Sequence, residues 1–238
     1  MDIVESTTCV DYNVVGLINA VQWGDLSYVE CAIDGCGLSP NTTDTDKCSL
    51  LHWASINNRL SIVEFLILKN ANLNCAGGNN METPLQWALR SKSCAPLLQK
   101  LLAEEANIYH KSSYGCDALF IAVQCNQLTG TFLLLNAGAD PNTVDNNGDT
   151  PLYWLLRKYS GAPNREYLDM LRLLIRFKAS VTIVAHDGSN ALHILAGYSG
   201  ANLDLASAHL IYEAGDDSMC NAKNNQSKTP YEVGFNFI

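Results

Sequence analysis

The segment Ser49-Leu50-Leu51-His52-Trp53-Ala54 is followed 34 residues later by Thr83-Pro84-Leu85-Gln86-Trp87-Ala88. A leucine anchors each copy of this pattern: Leu17, Leu51, Leu85, Leu119, Leu152 and Leu192, with Tyr231 in the last, at spacings of 34, 34, 34, 33, 40 and 39. A chain with such a period builds no single central core. Each copy is one supersecondary unit that must bury its apolar face against the next, so the copies stack. At 238 residues and 47% hydrophobic the chain has enough apolar material to fill every interface of such a stack.

The local chemistry says what each unit is. Thr83-Pro84-Leu85 and Thr150-Pro151-Leu152 open two copies, and Thr229-Pro230-Tyr231 opens a third. Threonine accepts a hydrogen bond from an orphan backbone N–H at a helix start, and proline in the first helical position presets φ without losing a bond. Ala20, Ala54, Ala88 and Ala122 follow, small where helices approach closely. Apolar residues at helical spacing then mark a second helix, as in Ile62, Val63, Phe65 and Leu66, or Leu97, Leu98, Leu101 and Leu102. The copies close in Asn70-Ala71-Asn72-Leu73-Asn74, Glu105-Ala106-Asn107-Ile108 and Ala137-Gly138-Ala139-Asp140-Pro141-Asn142, where Gly and Asn accept the left-handed backbone that stops a helix. A helix-turn-helix-loop unit with a period near 33 and a Thr-Pro-Leu-His-x-Ala start is the ankyrin repeat.

The expected fold is therefore all-α, an ankyrin-repeat solenoid of about six to seven helix-turn-helix units. Residues 1–11 read as an N-terminal extension and 12–238 as the repeat domain, with units near 12–44, 45–78, 79–110, 111–144, 145–184 and 185–222 and a partial unit at 223–238. Terminal repeats should be atypical because one side faces water. The first unit lacks the Thr-Pro-Leu-His start, and the last stops at Ile238 with its first helix only begun, the pattern expected of an excised segment. Two copies are stretched by Gly, Pro and Asn, at 157–164 and 197–202, where longer surface loops are expected because added loop residues cost little entropy.

Charge and cysteines narrow the partners. With 15 Lys plus Arg against 24 Asp plus Glu the formal net charge is −9, which excludes nonspecific attraction to nucleic acid or anionic lipid. Protein partners are the expectation. The nine cysteines include no Cys-x-x-Cys pair, and the nearest two, Cys31 and Cys36, have no neighbouring His to complete a metal site. Reduced, mostly buried thiols on the cytosolic side are expected. The start Met1-Asp2-Ile3-Val4-Glu5 is not a signal peptide, and no run of about 18 apolar residues could span a membrane.

Nothing in the chain reads as a catalytic centre, and no cofactor is implied. His52 and His193 occupy the repeat's own His position, where the imidazole ties a loop to the helix start. His110, His186 and His209 are isolated. Asp145-Asn146-Asn147-Gly148-Asp149 has its Gly in the fourth place, not the sixth a calcium loop needs, so turn chemistry explains it. Gly77-Gly78 precedes no Lys-Ser/Thr and is not a phosphate loop.

What departs from plain repeat sequence is the decoration of the first helices. Two positions after the motif alanines close each helix on the concave side: Gln22 and Trp23, Ile56 and Asn57, Arg90 and Ser91, Gln124 and Cys125. One residue before the motif alanine stand Trp53 and Trp87, with Trp154 in the corresponding place of a later copy. Packing between adjacent repeats is the simpler role for Trp53 and Trp154, since Trp is usually highly buried. Trp87 is different, because Asn57 precedes it by one repeat and Gln86 replaces the motif His beside it. An indole face next to a side-chain amide suits an extended peptide: the ring packs on Pro or an aliphatic group, and the amide pairs with Gln or backbone. The candidate peptide-contacting set is Asn57, Trp87, Trp23, Trp53, Gln22 and Gln86.

The string Leu50-Leu51-His52-Trp53-Ala54-Ser55-Ile56-Asn57-Asn58-Arg59-Leu60, with Gly77-Gly78 and Thr83-Pro84-Leu85-Gln86-Trp87-Ala88 behind it, resembles the N-terminal ankyrin domain of the DHHC-type protein palmitoyltransferases, the huntingtin-interacting branch. Asn58-Arg59 stands where a generic repeat has Gly-His, and Ala20-Val21-Gln22-Trp23-Gly24 is similar to that family's first unit. The resemblance spans roughly Tyr12 to Glu232. It implies a substrate-recruiting module on the cytosolic face, at the Golgi membrane in a full-length enzyme. Such a module captures disordered segments with a β-branched pair followed by Gln-Pro, and the reading positions fall on Asn57 and Trp87. Gln86 departs from the family's Thr-Pro-Leu-His-Trp, and Asp117-Ala118-Leu119-Phe120 from a more regular start. The Asp-His-His-Cys motif, the cysteine-rich domain and the membrane spans are absent from this sequence, so this segment would not transfer an acyl group by itself. The rival reading is a stand-alone cytosolic ankyrin adaptor that uses the same concave face for a folded partner. A third reading, a hydrolase or transferase, requires convergent titratable groups in a cleft.

Overall fold

A computed structural model of the chain describes residues 13–92, 94–159, 165–198 and 205–234. The N-terminal extension and the insertions at 160–164 and 199–204 lie outside them, so the loop expectations there do too.

Fourteen α-helices form among the described residues. The first helices of the units are α1 (Val14–Trp23), α3 (Leu50–Ile56), α5 (Pro84–Ala88), α7 (Ala118–Gln124), α9 (Pro151–Tyr159), α11 (Ala191–Tyr198) and α14 (Pro230–Gly234). The second helices are α2 (Leu26–Glu30, continued by a π-helical turn Cys31–Gly35), α4 (Leu60–Leu68), α6 (Ala95–Ala103), α8 (Leu128–Asn136), α10 (Arg165–Arg176) and α12 (Leu205–Ala214), with a short α13 (Ser218–Asn221) after the last. Each first helix packs on the next first helix, and each second helix from α2 to α12 on the next second helix. The result is a two-layer ankyrin-repeat solenoid.

The repeat motif forms the core. Leu17, Leu51, Leu85, Leu119 and Leu152 are essentially fully buried, and Ala54, Ala88 and Ala122 are sealed between neighbouring helices. The anchor loosens at the far end, where Leu192 is only partly buried and Tyr231 is exposed, as a terminal unit with water on one side must allow.

Each first helix starts as its residues dictate. Oxygens of Asn13, Ser49, Thr83, Asp117, Thr150, Asn190 and Thr229 accept from the backbone N–H three residues on. Left-handed residues end the first helices at Gly24, Asn58 and Asn126, and the second helices at Asn70 and Gly138. Glu105 and Lys178 take the same turn with φ of 58° and 65°. Those side chains tolerate αL less well than Gly or Asn, so only the repeat context places them there.

Successive loops are stitched together along the stack. Asn41 Oδ1 accepts from the backbone of Asn72, Asn74 Oδ1 from that of Asn107, and Asn142 Oδ1 from that of Ser180. The fingers ahead of the first helices join by single backbone bonds, Gly78 N–H to Asp46, Ser113 to Asn80, Asn146 to Tyr114 and Asn225 to Asp187.

Candidate peptide-binding groove

In α3, α5, α9 and α11 the third helical residue carries a link to the next repeat. His52 is fully buried; its Nδ1 accepts from the Ser49 backbone N–H at 2.9 Å, and its Nε2–H donates to the Glu82 carbonyl of the next unit at 2.9 Å. Burial lowers the His52 pKa below its ordinary value, which favours the neutral ring, and the Ser49 N–H and Glu82 carbonyl set its tautomer. His193 repeats the arrangement, accepting from Asn190 N–H and donating to the Lys228 carbonyl. The Tyr153 hydroxyl donates to the Val181 carbonyl from the same position.

Gln86 does the same work, and here the sequence expectation is corrected. Its Oε1 accepts from the Thr83 N–H at 2.8 Å, and its Nε2 donates to the carbonyls of His110 and Cys116, both at 3.0 Å. The side chain is sealed from solvent, so its amide has neither room nor free hydrogens for a peptide. An amide replaces imidazole because its oxygen accepts where Nδ1 does and its N–H donates where Nε2–H does.

Trp87 is half-buried and held on three sides. The edge-to-face ring of His52 lies 5.1 Å from it and that of Trp53 5.4 Å, at 77° and 89°. Beneath it the finger turns through Gly78 at φ +70°, where an added Cβ would stand 3.3 Å from Trp87 Cζ2. A substituent at Gly77 would sit 2.3 Å from the Lys47 carbonyl oxygen. The Gly77-Gly78 pair thus lets two backbones and one indole meet. The Trp87 indole N–H has no acceptor among the described residues.

Trp53 is a hinge in this cluster, more than filler. It is part-buried against the core, and its Nε1–H donates to Asp44 Oδ2 at 2.9 Å, which fixes the ring that Trp87 abuts. Asn57 is exposed four residues along α3, and its Nδ2 donates to the Trp53 carbonyl at 2.9 Å. That bond orients the amide and leaves Oδ1 without a partner among the described residues. Asn57, Trp53 and Trp87 are therefore one connected group.

Trp23 and Gln22 lie one repeat earlier. Trp23 is 80% exposed at the end of α1. The Gln22 carbonyl accepts from Arg59 Nε at 3.0 Å, so Arg59 ties the end of α1 to the second unit.

Two ion pairs on the same face belong to no expectation drawn from sequence. Arg90 grips Glu82 through two bonds, Nε to Oε2 at 3.0 Å and Nη2 to Oε1 at 2.6 Å. Arg157 holds Asp149 by the same spacing of eight residues. The signal was present: an acid just before both Thr-Pro-Leu starts and an Arg near the end of the helix each one opens. These arginines line a cleft of about 480 Å3 together with Ser112, Tyr114 and Trp154.

The thiols also differ from expectation. Cys48, Cys94 and Cys116 are buried, Cys75 and Cys125 are intermediate, and Cys31, Cys36 and Cys220 are exposed. Burial pushes Cys48 and Cys116 up to about 11 and also raises Cys75, although Cys75 Sγ lies 4.0 Å from His52 Nδ1. A motif of small residues on both faces of short helices does not bury every thiol it contains. No group of three metal-ligating side chains occurs among the described residues, and no described helix is long and apolar enough to cross a membrane.

A buried Leu-Ala ladder, paired helices and stapled fingers define the class, and the chain is an ankyrin-repeat protein. The family described as ankyrin repeats (3 copies) matches residues 17–112. Its relatives are palmitoyltransferases of the ankyrin-bearing kind, at about 30% identity over most of the chain. The palmitoyltransferase AKR1 of Lachancea kluyveri is 33% identical over 182 residues, covering 73% of this chain and 23% of that protein. The palmitoyltransferase Hip14 of Drosophila melanogaster is 31% identical over 226 residues, covering 80% and 34%. This chain therefore spans about a quarter to a third of the length of these relatives. Among solved structures, the ankyrin repeat domain of Bcl-3 superposes with a TM-score of 0.75 at 26% identity, covering 91% of this chain and 92% of that one. Ankyrin repeats of this kind form a protein-interaction module.

Proposed function

We propose that this chain is the substrate-recruiting ankyrin module of a protein S-acyltransferase. It captures short disordered segments in its concave groove and holds them on the cytosolic face, at the Golgi membrane in the whole enzyme. The preferred segment is a β-branched pair followed, two residues on, by Gln-Pro. The relatives named palmitoyltransferase support the enzyme class.

One observation carries the site: Trp87 is braced by His52, Trp53 and Gly78 while keeping part of its indole free, with the oriented Asn57 amide attached through Trp53. A braced ring binds without losing rotamer freedom, so packing against a proline ring is realised as affinity. The unpartnered Asn57 Oδ1 accepts from a glutamine amide or a backbone N–H of the segment. A disordered segment also loses conformational entropy on docking, so the affinity is modest.

Calorimetry with a Val-Val-x-x-Gln-Pro peptide tests this. Trp87→Ala and Asn57→Ala should each weaken binding about tenfold or more, the scale of one buried anchor or one amide bond. Variants that bind as tightly as the parent would place the site elsewhere.

A further inference from the structure

The cleft beside the Trp87 group has an uneven division of polar capacity. Three carboxylates line it, and each is already engaged. Both Glu82 oxygens are held by Arg90, with the Glu82 side chain only 3% exposed. Asp149 is sunk in the same way beneath Arg157. Asp145 accepts from the backbone N–H groups of Asn147 and Asp149 and from the Asn147 amide.

The arginine donors are less used. A guanidinium has five N–H bonds; Arg90 spends two on Glu82, and its side chain is 37% exposed. Arg157 is 30% exposed and bonds Asp149 through Nη1. Lys158 adds a third cation, 4.7 Å above the Trp154 ring and donating to the Gln124 carbonyl at 2.9 Å. Ser112 also borders the cleft, with its hydroxyl oxygen closed from solvent and so out of reach of a docked group.

We infer that this cleft is a second subsite of the same groove and takes an anionic side chain, a carboxylate or a phosphoryl group, from the segment that docks on Trp87. The inference rests on the recruiting role proposed above. Sunken acids beneath arginines about one-third exposed present a surface of hydrogen-bond donors, and oxygen acceptors fit it. The chain's net charge of −9 opposes an acid at long range. That field is screened within about 8–10 Å in physiological salt, whereas the arginine donors act at contact.

Continuity sets the reach. Arg90 donates its backbone N–H to the Trp87 carbonyl, so the cleft begins one helical turn from the indole. Packed helices lie about 8–10 Å apart and an extended peptide advances about 3.3 Å per residue. The cleft runs from the end of α5 to α9, one to two such spacings along the stack, so the acid belongs about three to six residues from the Gln-Pro pair, on one flank.

The test is fluorescence anisotropy with the full 238-residue chain. The probes are a labelled Val-Val-Ala-Ala-Gln-Pro peptide and versions carrying Glu, phosphoserine, Ala or Lys on the preceding or the following flank. Glu or phosphoserine on one flank should tighten binding about tenfold over Ala, with Lys weaker than Ala. The gap between the Glu and phosphoserine arms identifies the preferred anion. The double variants Glu82→Gln/Arg90→Gln and Asp149→Asn/Arg157→Gln remove charge without stranding a buried carboxylate, and each should shrink the increment while sparing the unflanked peptide. An increment absent on both flanks, or intact in both double variants, overturns the second subsite and leaves the Trp87 reading standing. Failure of every peptide to bind overturns both.

Discussion

Replacing His52 by Gln, and separately by Ala, tests whether the third helical residue is the staple between repeats. In the native protein the ring satisfies the buried Ser49 N–H and the Glu82 carbonyl and braces Trp87. His52→Ala strands both backbone groups, at about 1–3 kcal/mol each, and opens a cavity, for a total of about 3–5 kcal/mol. His52→Gln has a template one repeat on, because Gln86 makes the same bonds to Thr83 and Cys116. It should lose little beyond the edge contact with Trp87, about 0.5–1.5 kcal/mol. The pH dependence gives a second reading. The folded-state pKa of His52 is held below the ordinary value by burial, so between the two values the unfolded chain binds a proton that the folded chain refuses. Stability from this group is therefore complete above the unfolded value, near 6.5, and falls by up to about 1.4 kcal/mol per pH unit below it, until the folded value is reached. Urea denaturation followed by circular dichroism, near pH 7.5 and near pH 5.5, should show the gap between parent and His52→Gln narrowing in acid. A glutamine variant as unstable as the alanine variant, or a gap unchanged by pH, would refute the staple.

Three further outcomes follow from the same geometry. Asn58 ends α3 at φ 54°, so Asn58→Ala should cost about 1 kcal/mol in thermal or chemical unfolding while Asn58→Gly is near neutral; equal costs would mean the turn is not the constraint. Gly78→Ala places a methyl 3.3 Å from Trp87 at φ +70°, and should both destabilise the fold and alter tryptophan fluorescence, whereas unchanged emission would free Trp87 from its floor. Iodoacetamide should label Cys31, Cys36 and Cys220 in the folded protein, while Cys48 and Cys116, raised to about 11 by burial, react only on unfolding; mass spectrometry of the labelled peptides decides it.

The sequence places Asn57 and Trp23 at helix ends, where few neighbours cover a side chain, and both are exposed, while Trp87 inside its helix is half-buried. What the order of residues did not give shares one cause. Gln86 was misplaced because the same amide serves equally in a groove or in a capping box. Its partners, His110 and Cys116, lie 24 and 30 residues away, and no local pattern points to them. The Glu82–Arg90 and Asp149–Arg157 pairs were overlooked for a related reason. An acid and an arginine eight residues apart look like ordinary solvated charges until the helix end folds back over its own start.

The sequence by itself determined the repeat: its caps and its Gly and Asn stops follow from interactions within a few residues, and its period marks which leucines and alanines must be buried between copies. Tertiary structure decided which polar side chains remain available to a partner. Availability depends on bonds made across repeats, about 30 residues apart, and these close Gln86 while leaving Asn57 and part of Trp87 open. A polar side chain's function here is set by how many of its donors and acceptors the neighbouring repeat has already taken.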